Sequence, residues 1–490
     1  MPLHIPDEIL NHIMCYLVPV LPSKPRSWRY DPSLRPIDLA SLCLVSRRFR
    51  HIAQPLLYHT IDITHSTTVT RSEKGRKRLM WPGFLLRTIV KDPRLAKYIR
   101  VLAMEDSLYI PETPDTAFLP DTSSNDFPWD VPRCIRSKLE PEIAYNGSNV
   151  PPIALLLYAT MVEKIFLFPS SPDGVEVRWI VTSWQPNGRS HYYAVEFGSD
   201  QLLELGPFAN YGLPCLDELY VDQEDDENWP IDLLDFLKKP GLSIFHLHHV
   251  RSSTSLFVPQ PLEDSLSSVH DLKLSDCYME SQSLENILRS CPRLKVFSVH
   301  VTKVEQAEQS FQRSDPNIFW TINLEHIGQA LRGFGENLID LHLDFSNFKL
   351  ARPITGRIGP LCSMPKLRHI QCYRNDLILA QELGEEQEEN DLPLESVLPS
   401  SIATLNINYM EHDILLSPPR NEISAEIENI LSSRRLQYLE QVRIQRYIPG
   451  TQDEPILFQT EMPGWSFDFN KTPYKDQNGF IEYLCFDRVG

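Results

Sequence analysis

Apolar residues recur along this chain in two rhythms. Near the start, residues 5–17 (IPDEILNHIMCYL) place Ile9, Leu10, Ile13, Met14 and Leu17 at i, i+1, i+4, i+5 and i+8, one stripe on a 3.6-residue period. Pro6 suits the first helical position, where its missing N–H costs nothing. Asp7 and Glu8 suit the positive end of the helix dipole. The spacing predicts a helix here. A second is predicted over Ile37–Val45 (IDLASLCLV), with Leu39, Leu42 and Cys43 on one face. A third follows in RRFRHIAQPLL, with Ser46 as its N-cap and Phe49, Ile52 and Leu56 as its apolar face. Three short helices bury little surface alone, so such a module is marginal until it packs on a neighbour.

The second rhythm is a phrase of apolar, two residues, apolar, one residue, apolar. It occurs as IRVLAM at 99, VEKIFL at 162, LDELYV at 216, VHDLKL at 269, LKVFSV at 294, LIDLHL at 338, LRHIQC at 367, IATLNI at 402 and LEQVRI at 439. IFHLHHV at 244 is a looser copy. Alternation of this kind predicts half-buried strands. From Leu219 on, the central apolar residues are Leu247, Leu272, Phe297, Leu341, Ile370, Leu405 and Val442, at separations of 28, 25, 25, 44, 29, 35 and 37 residues. Leucine-rich repeats run about 20–29 residues with this phrase as the strand, and longer intervals imply insertions. VHDLKLSDCYM (269–279) fits LxxLxLxxCxL, with Cys277 where such repeats usually carry an inward Asn or Cys. Helical spacing follows in SLENILRSCPRL (283–294) and again in LEHIGQALRGFGENLIDLHL (324–343). A strand and a helix at this period make a solenoid, in which each unit buries its apolar face against its neighbours.

The N-terminal set Leu3, Pro6, Glu8, Ile9, Ile13 and Leu17, with Asp38, Leu39, Leu42, Val45, Ser46, Arg47, Phe49, Ile52 and Leu57, resembles an F-box. PLLYHTIDI (55–63) is similar to the sequence with which many fungal members leave the domain. Two features depart from the family. The connection 18–36 is long and holds five prolines, and Phe49 stands where many members carry Trp. The resemblance implies an adaptor-docking module that binds a Skp-type adaptor and, through it, the cullin of a ubiquitin ligase. It assigns adaptor contacts, and the packing behind them, to Leu3, Pro6, Ile9, Leu10, Ile13, Leu39, Leu42 and Val45. The expected fold is therefore α/β: a three-helix F-box (1–63), a linking segment (64–94), an irregular leucine-rich-repeat-like solenoid (95–446) and a C-terminal cap or tail (447–490). In the tail Trp465, Phe467, Phe469, Tyr474, Phe480, Tyr483 and Phe486 are read as covering the last repeat.

Charge narrows the list of partners. The 47 basic and 65 acidic side chains give a formal net charge of -18, which repels phosphate backbones and anionic lipid. Neither nucleic acid nor a membrane surface is expected as a partner. The basic run RSEKGRKR (71–78) is read as a solvated loop, and the acidic runs 222–229 and 382–391 as a turn and an insertion. The start carries acids where a secretory signal carries basic residues, and no apolar run reaches membrane length, so a cytoplasmic or nuclear location is expected. Nine cysteines without a CxxC pair fit reduced thiols.

Catalytic signatures are absent: no GxSxG, Walker loop, GxGxxG after a strand or HExxH occurs. No metal site and no cofactor are expected. The strand pair His246 and His248 has no evident third ligand and reads as a polar strand face. The variable residues beside each central apolar position remain: Tyr220, His248, Lys273, His300, His342, Tyr373, Asn406 and Arg443 are the candidate substrate contacts. They suit an unknown protein target. The reading is a substrate receptor of a Skp–cullin–F-box ligase. An adaptor-bound scaffold outside degradation is the alternative, and an enzyme with a coincidental N-terminus is the third.

Overall fold

The computed structural model describes residues 5–18, 37–63, 85–86, 88–89, 91–105, 155–156, 158–168, 213–222, 236–237, 239, 241–248, 251–252, 267–279, 281–301, 322–345, 354–378, 393–409, 420–449, 462–473 and 479–489. Leu3, the basic run 71–78, the proline-rich stretch 110–132, residues 223–229 and the acidic run 382–391 lie outside them, as does most of the long connection 18–36. The chain divides into two compact units, Met1–Trp229 with Lys239–Ile244, and Pro230–Lys238 with Phe245–Gly490.

In the first unit the three expected helices form: α1 (Asp7–Cys15), α2 (Ile37–Val45) and α3 (Arg47–Leu57). Ser46 caps α3 as its sequence predicts, its hydroxyl accepting from the Phe49 N–H at 3.1 Å. Pro6 takes the N-cap position of α1, one place earlier than expected, and its carbonyl accepts the Leu10 N–H at 3.1 Å. The chain then enters a parallel sheet of β1 (Thr60–Asp62), β2 (Val101–Glu105), β3 (Lys164–Phe168) and β4 (Glu218–Asp222), in sequence order. Ile61, Leu102, Ile165 and Leu219 pair in register and are all buried.

The second unit carries β5 (Ile244–His248), β6 (Asp271–Ser275), β7 (Val296–His300), β8 (Asp340–Asp344), β9 (His369–Tyr373), β10 (Thr404–Asn408), β11 (Gln441–Pro449), β12 (Trp465–Pro473) and β13 (Gly479–Arg488). Their order is β5–β6–β7–β8–β9–β10–β11–β13–β12. From β6 to β11 neighbouring strands run parallel, and the central residues Leu272, Phe297, Leu341, Ile370, Leu405 and Val442 form one buried row in register. The apolar residue that opens each phrase (Val269, Leu294, Leu338, Leu367, Ile402 and Leu439) lies two places before its strand and is also buried. All ten phrases read from the sequence thus coincide with strands. The apolar triplet does this because its last two members point inward from a strand while the first anchors the turn that leads into it.

Helices fill the connections: α4 (Ser281–Ser290), α5 (Leu324–Phe334), the single turns α6 (Arg374–Leu377) and α7 (Leu394–Val397), and α8 (Arg420–Ser432). Asn323 caps α5 by accepting from the His326 N–H at 3.1 Å, and its own N–H donates to the Ser281 hydroxyl at the head of α4 at 2.8 Å. Gly328 lets α5 lie against the chain at Ile358: a Cβ at this position would sit 1.9 Å from the Ile358 carbonyl oxygen. Cys277 is buried, with its thiol donating to the Ser275 carbonyl at 3.4 Å, so it faces inward and satisfies the turn after β6. The described cysteines are free thiols.

The end of the chain is more regular than a tail. β11 runs on to Pro449, and β13 and β12 extend its sheet as an antiparallel hairpin. Phe486 is buried with Phe467 against it, ring centroids 5.0 Å apart, while Phe467 and Tyr483 are exposed. Trp465 donates its indole N–H to the Leu431 carbonyl at the end of α8, at 3.2 Å.

Candidate functional site

Two surfaces hold the residues singled out by the sequence. The first is the helical module. α3 packs on both α1 and α2. The core between them consists of Leu10, Met14, Leu39, Ile52 and Ala53, with Val18, Leu42, Cys43, Phe49, Leu56 and Leu57 partly buried around it. The single stripe read along α1 divides in two. Leu10 and Met14 turn inward, whereas Ile9 (51%) and Ile13 (52%) stay exposed, with Ile5, Tyr16 and Leu17 also outward. On α2 the same division leaves Ile37, Leu44 (81%) and Val45 (66%) exposed. An apolar arc this wide exceeds what one packing face needs, and the module's own core covers only half of it.

This geometry divides the assigned residues between surface and packing. Leu10 and Leu39 are core residues and present nothing to a partner. Leu42 is half-buried behind the surface; Pro6, Ile9, Ile13 and Val45 are exposed. The module is fastened by a contact that the sequence does not announce. Arg48 of α3 pairs with Asp7 at the head of α1, Nη2 to Oδ1 at 2.6 Å, and also donates to the Ile5 carbonyl. Arg50 donates to the Cys43 carbonyl at the end of α2 at 3.1 Å.

The second surface is the polar face of the strands. In the second unit Lys273, Ser298, His342, Gln371, Asn406 and Arg443 fall in one row across β6–β11 by strand register. Lys273, His342, Asn406 and Arg443 thus share one row of the strand face. Tyr373 is buried, so it offers no contact, because β9 turns directly into α6. Tyr220 belongs to the first unit, where its ring stacks on Phe166 at 4.6 Å and its hydroxyl donates to Glu218 at 3.0 Å. Lys164 completes that cluster, 2.8 Å from Glu218.

Histidines on this face stand opposite carboxylates of the following strand or turn. His246 lies 3.4 Å from Asp271, His248 lies 3.5 Å from Asp276, and His300 lies 2.7 Å from Asp344. Burial alone would raise the Asp271 pKa, but the hydrogen bond and charge of His246, with Lys273 and His270, hold it below the usual carboxylate value. Burial pushes His342 down from the ordinary imidazole value, and the charge of His300 adds to this. His300, His342 and Asp344 bring three possible ligand atoms within 4.8 Å of one another. Sequence spacing could not show this trio, because His300 and His342 are joined only through the β7–β8 register.

Residues 3–64 match the model of the F-box-like family. The chain therefore carries an F-box-like domain at its N-terminus, and the three helices are that domain. No curated protein matches the chain. Among the described residues no helix is long and apolar enough to cross a membrane.

Proposed function

We propose that this chain is the substrate-recognition subunit of a Skp–cullin–F-box ubiquitin ligase. The F-box-like helices dock a Skp-type adaptor, which ties the chain to a cullin, and the polar strand face of the second unit holds a protein target. We read the repeated strand–helix units as a degenerate leucine-rich-repeat solenoid, in keeping with their in-register phrases. The chain does no bond chemistry in this scheme. It raises the effective concentration of its target near the ligase's charged partner enzyme, in the cytoplasm or nucleus.

The observation that supports this reading is that Ile9 and Ile13 of α1 and Leu44 and Val45 of α2 are left exposed by the domain's own core. These side chains are 51–81% exposed, so covering the rest of each is worth roughly 1–2 kcal/mol. Several together can outweigh the cost of association, which for proteins starts near 4 kcal/mol as an order of magnitude. Leu10 and Leu39 act behind this surface by holding α1 and α2 on α3.

Affinity purification of the full chain from cells with ligase activity blocked tests the scheme. Adaptor and cullin should be recovered together with a target that accumulates. Adaptor without cullin would replace the receptor by an adaptor-bound scaffold, and absence of the adaptor would end the docking assignment.

A further inference from the structure

We propose that His300, His342 and Asp344 form a binding site for a divalent transition-metal ion of zinc's class. The site is built on two adjacent parallel strands. His300 of β7 and Asp344 of β8 are register partners, and His342 precedes Asp344 by two residues, so it lies on the same face of β8. Three donors thus converge from backbone held on both sides by other strands: β6 flanks β7, and β9 flanks β8. Such placement keeps the cost of ordering the ligands low.

The distances suit an ion after small side-chain rotations. Zinc bonds His nitrogen and carboxylate oxygen at about 2.0–2.2 Å, which puts tetrahedral ligands roughly 3.3–3.5 Å apart. His300 Nδ1 and Asp344 Oδ2 stand at 2.7 Å and must open slightly. The cluster as a whole lies within 4.8 Å, so its widest separation must close by at most about 1.5 Å. Rotation about the imidazole and carboxylate torsions supplies such movement without shifting the strands.

Donor chemistry selects the class of ion. Two imidazoles and one carboxylate form a mixed nitrogen and oxygen set, which favours zinc and its first-row neighbours. Calcium takes six to eight oxygens, which this set does not offer. Asp340, on the same strand, adds a second negative charge near His342, while Lys273 opposes it. The His342 Nε2 atom is buried and has no hydrogen-bond partner among the described residues. The pairs His246–Asp271 and His248–Asp276 belong to no such group of three among the described residues. With three protein ligands and His300 partly exposed, the fourth position of the ion faces solvent.

The test uses the purified full chain, stripped with a chelator and dialysed. Zinc titration by calorimetry, and cobalt titration followed by visible absorption, should show one saturable site with the bands of four-coordinate cobalt. His342→Ala and Asp344→Asn should each weaken zinc binding at least tenfold, whereas His248→Ala should not change it. Circular dichroism of each variant confirms that the fold is retained, and Asp344→Asn preserves side-chain volume if His342→Ala does not fold. No saturable binding by the natural chain would overturn the assignment. So would binding that persists unchanged in folded Asp344→Asn and in a His300→Ala, His342→Ala double variant, since the ion would then sit on other residues.

Discussion

Arg48 reaches from the first turn of α3 to Asp7 in the first turn of α1, its Nε donating to Oδ1 at 2.7 Å while Nη2 holds the Ile5 carbonyl. Residues 41 positions apart are thereby fixed beside the exposed apolar stripe of α1. Asp7 is more than half exposed, so the ion pair alone contributes less than about 1 kcal/mol. The grip on the backbone carbonyl adds to it. Arg48→Ala should therefore loosen α1 more than Asp7→Asn does. Amide hydrogen exchange should show faster exchange across residues 7–15 in Arg48→Ala and only a slight change in Asp7→Asn. Equal exchange in the two variants would remove the carbonyl contact from the account.

Two glycines of one helix should respond in opposite directions. Gly328→Ala drives a Cβ into the Ile358 backbone, which is tied by its N–H to the Asp376 carbonyl at 2.8 Å. A cost of about 3 kcal/mol or more is expected, at the upper end of overpacking, because backbone rather than a side chain must yield. Gly333 has nothing within 4 Å of its would-be Cβ. Gly333→Ala should stabilise α5 by up to about 1 kcal/mol through helix propensity. Thermal unfolding of both variants beside the natural chain checks the pair.

Arg446 and Glu482 are register partners on β11 and β13, both buried and ion-paired to each other. Removing one partner leaves the other charge buried and uncompensated. Glu482→Gln should destabilise the C-terminal hairpin by about 3–5 kcal/mol. Replacing both by Met and Leu should recover most of that loss. Limited proteolysis and urea unfolding would read the difference, and an unaffected Glu482→Gln protein would contradict the buried pairing.

His342 makes stability depend on pH. Burial, followed by the charge of His300, holds its folded pKa below the ordinary 6.5, against a smaller pull from Asp344 and Asp340. The unfolded chain then binds a proton that the folded chain refuses. Stability falls as the pH drops through about 6.5 and stops falling on this account below the folded pKa. Above about 7 both states are neutral and the contribution vanishes. NMR titration of the His342 ring should give a pKa below 6.5, and His342→Gln should flatten the acid-side slope of the unfolding free energy. A ring that titrates above that value would refute this.

Much of the fold was legible because its signals are local. Each strand from β2 to β11 carries its apolar triplet within six residues, and the interval lengths locate the insertions between them. Ser46 as a cap and the three helices were equally local. What escaped depends on the third dimension. Ile9 and Leu10 are neighbours in one apolar arc of α1, and which of them is covered is decided only when α3 packs there. The sequence leaves Leu39 open between contact and packing, and it is core for the same reason. Tyr373 sits at a strand position that faces outward elsewhere, but the immediate turn into α6 buries it. The His300, His342 and Asp344 trio spans 44 residues between its first and last members and exists only through strand pairing. The C-terminal hairpin was hidden because, although Trp465, Phe467 and Phe469 alternate along β12, that strand is mostly exposed and joins the sheet antiparallel rather than as another repeat.

Docking through the exposed stripe of the F-box-like domain is measured most directly by adaptor binding to surface variants. Ile9→Asp and Val45→Asp change exposed side chains and leave the Leu10, Met14, Leu39, Ile52 and Ala53 core intact. Purified chain should bind a purified Skp-type adaptor in calorimetry, and the double variant should lose at least a hundredfold in affinity while keeping its circular dichroism. Binding by the double variant equal to that of the natural chain, or no binding by the natural chain, would contradict the assignment.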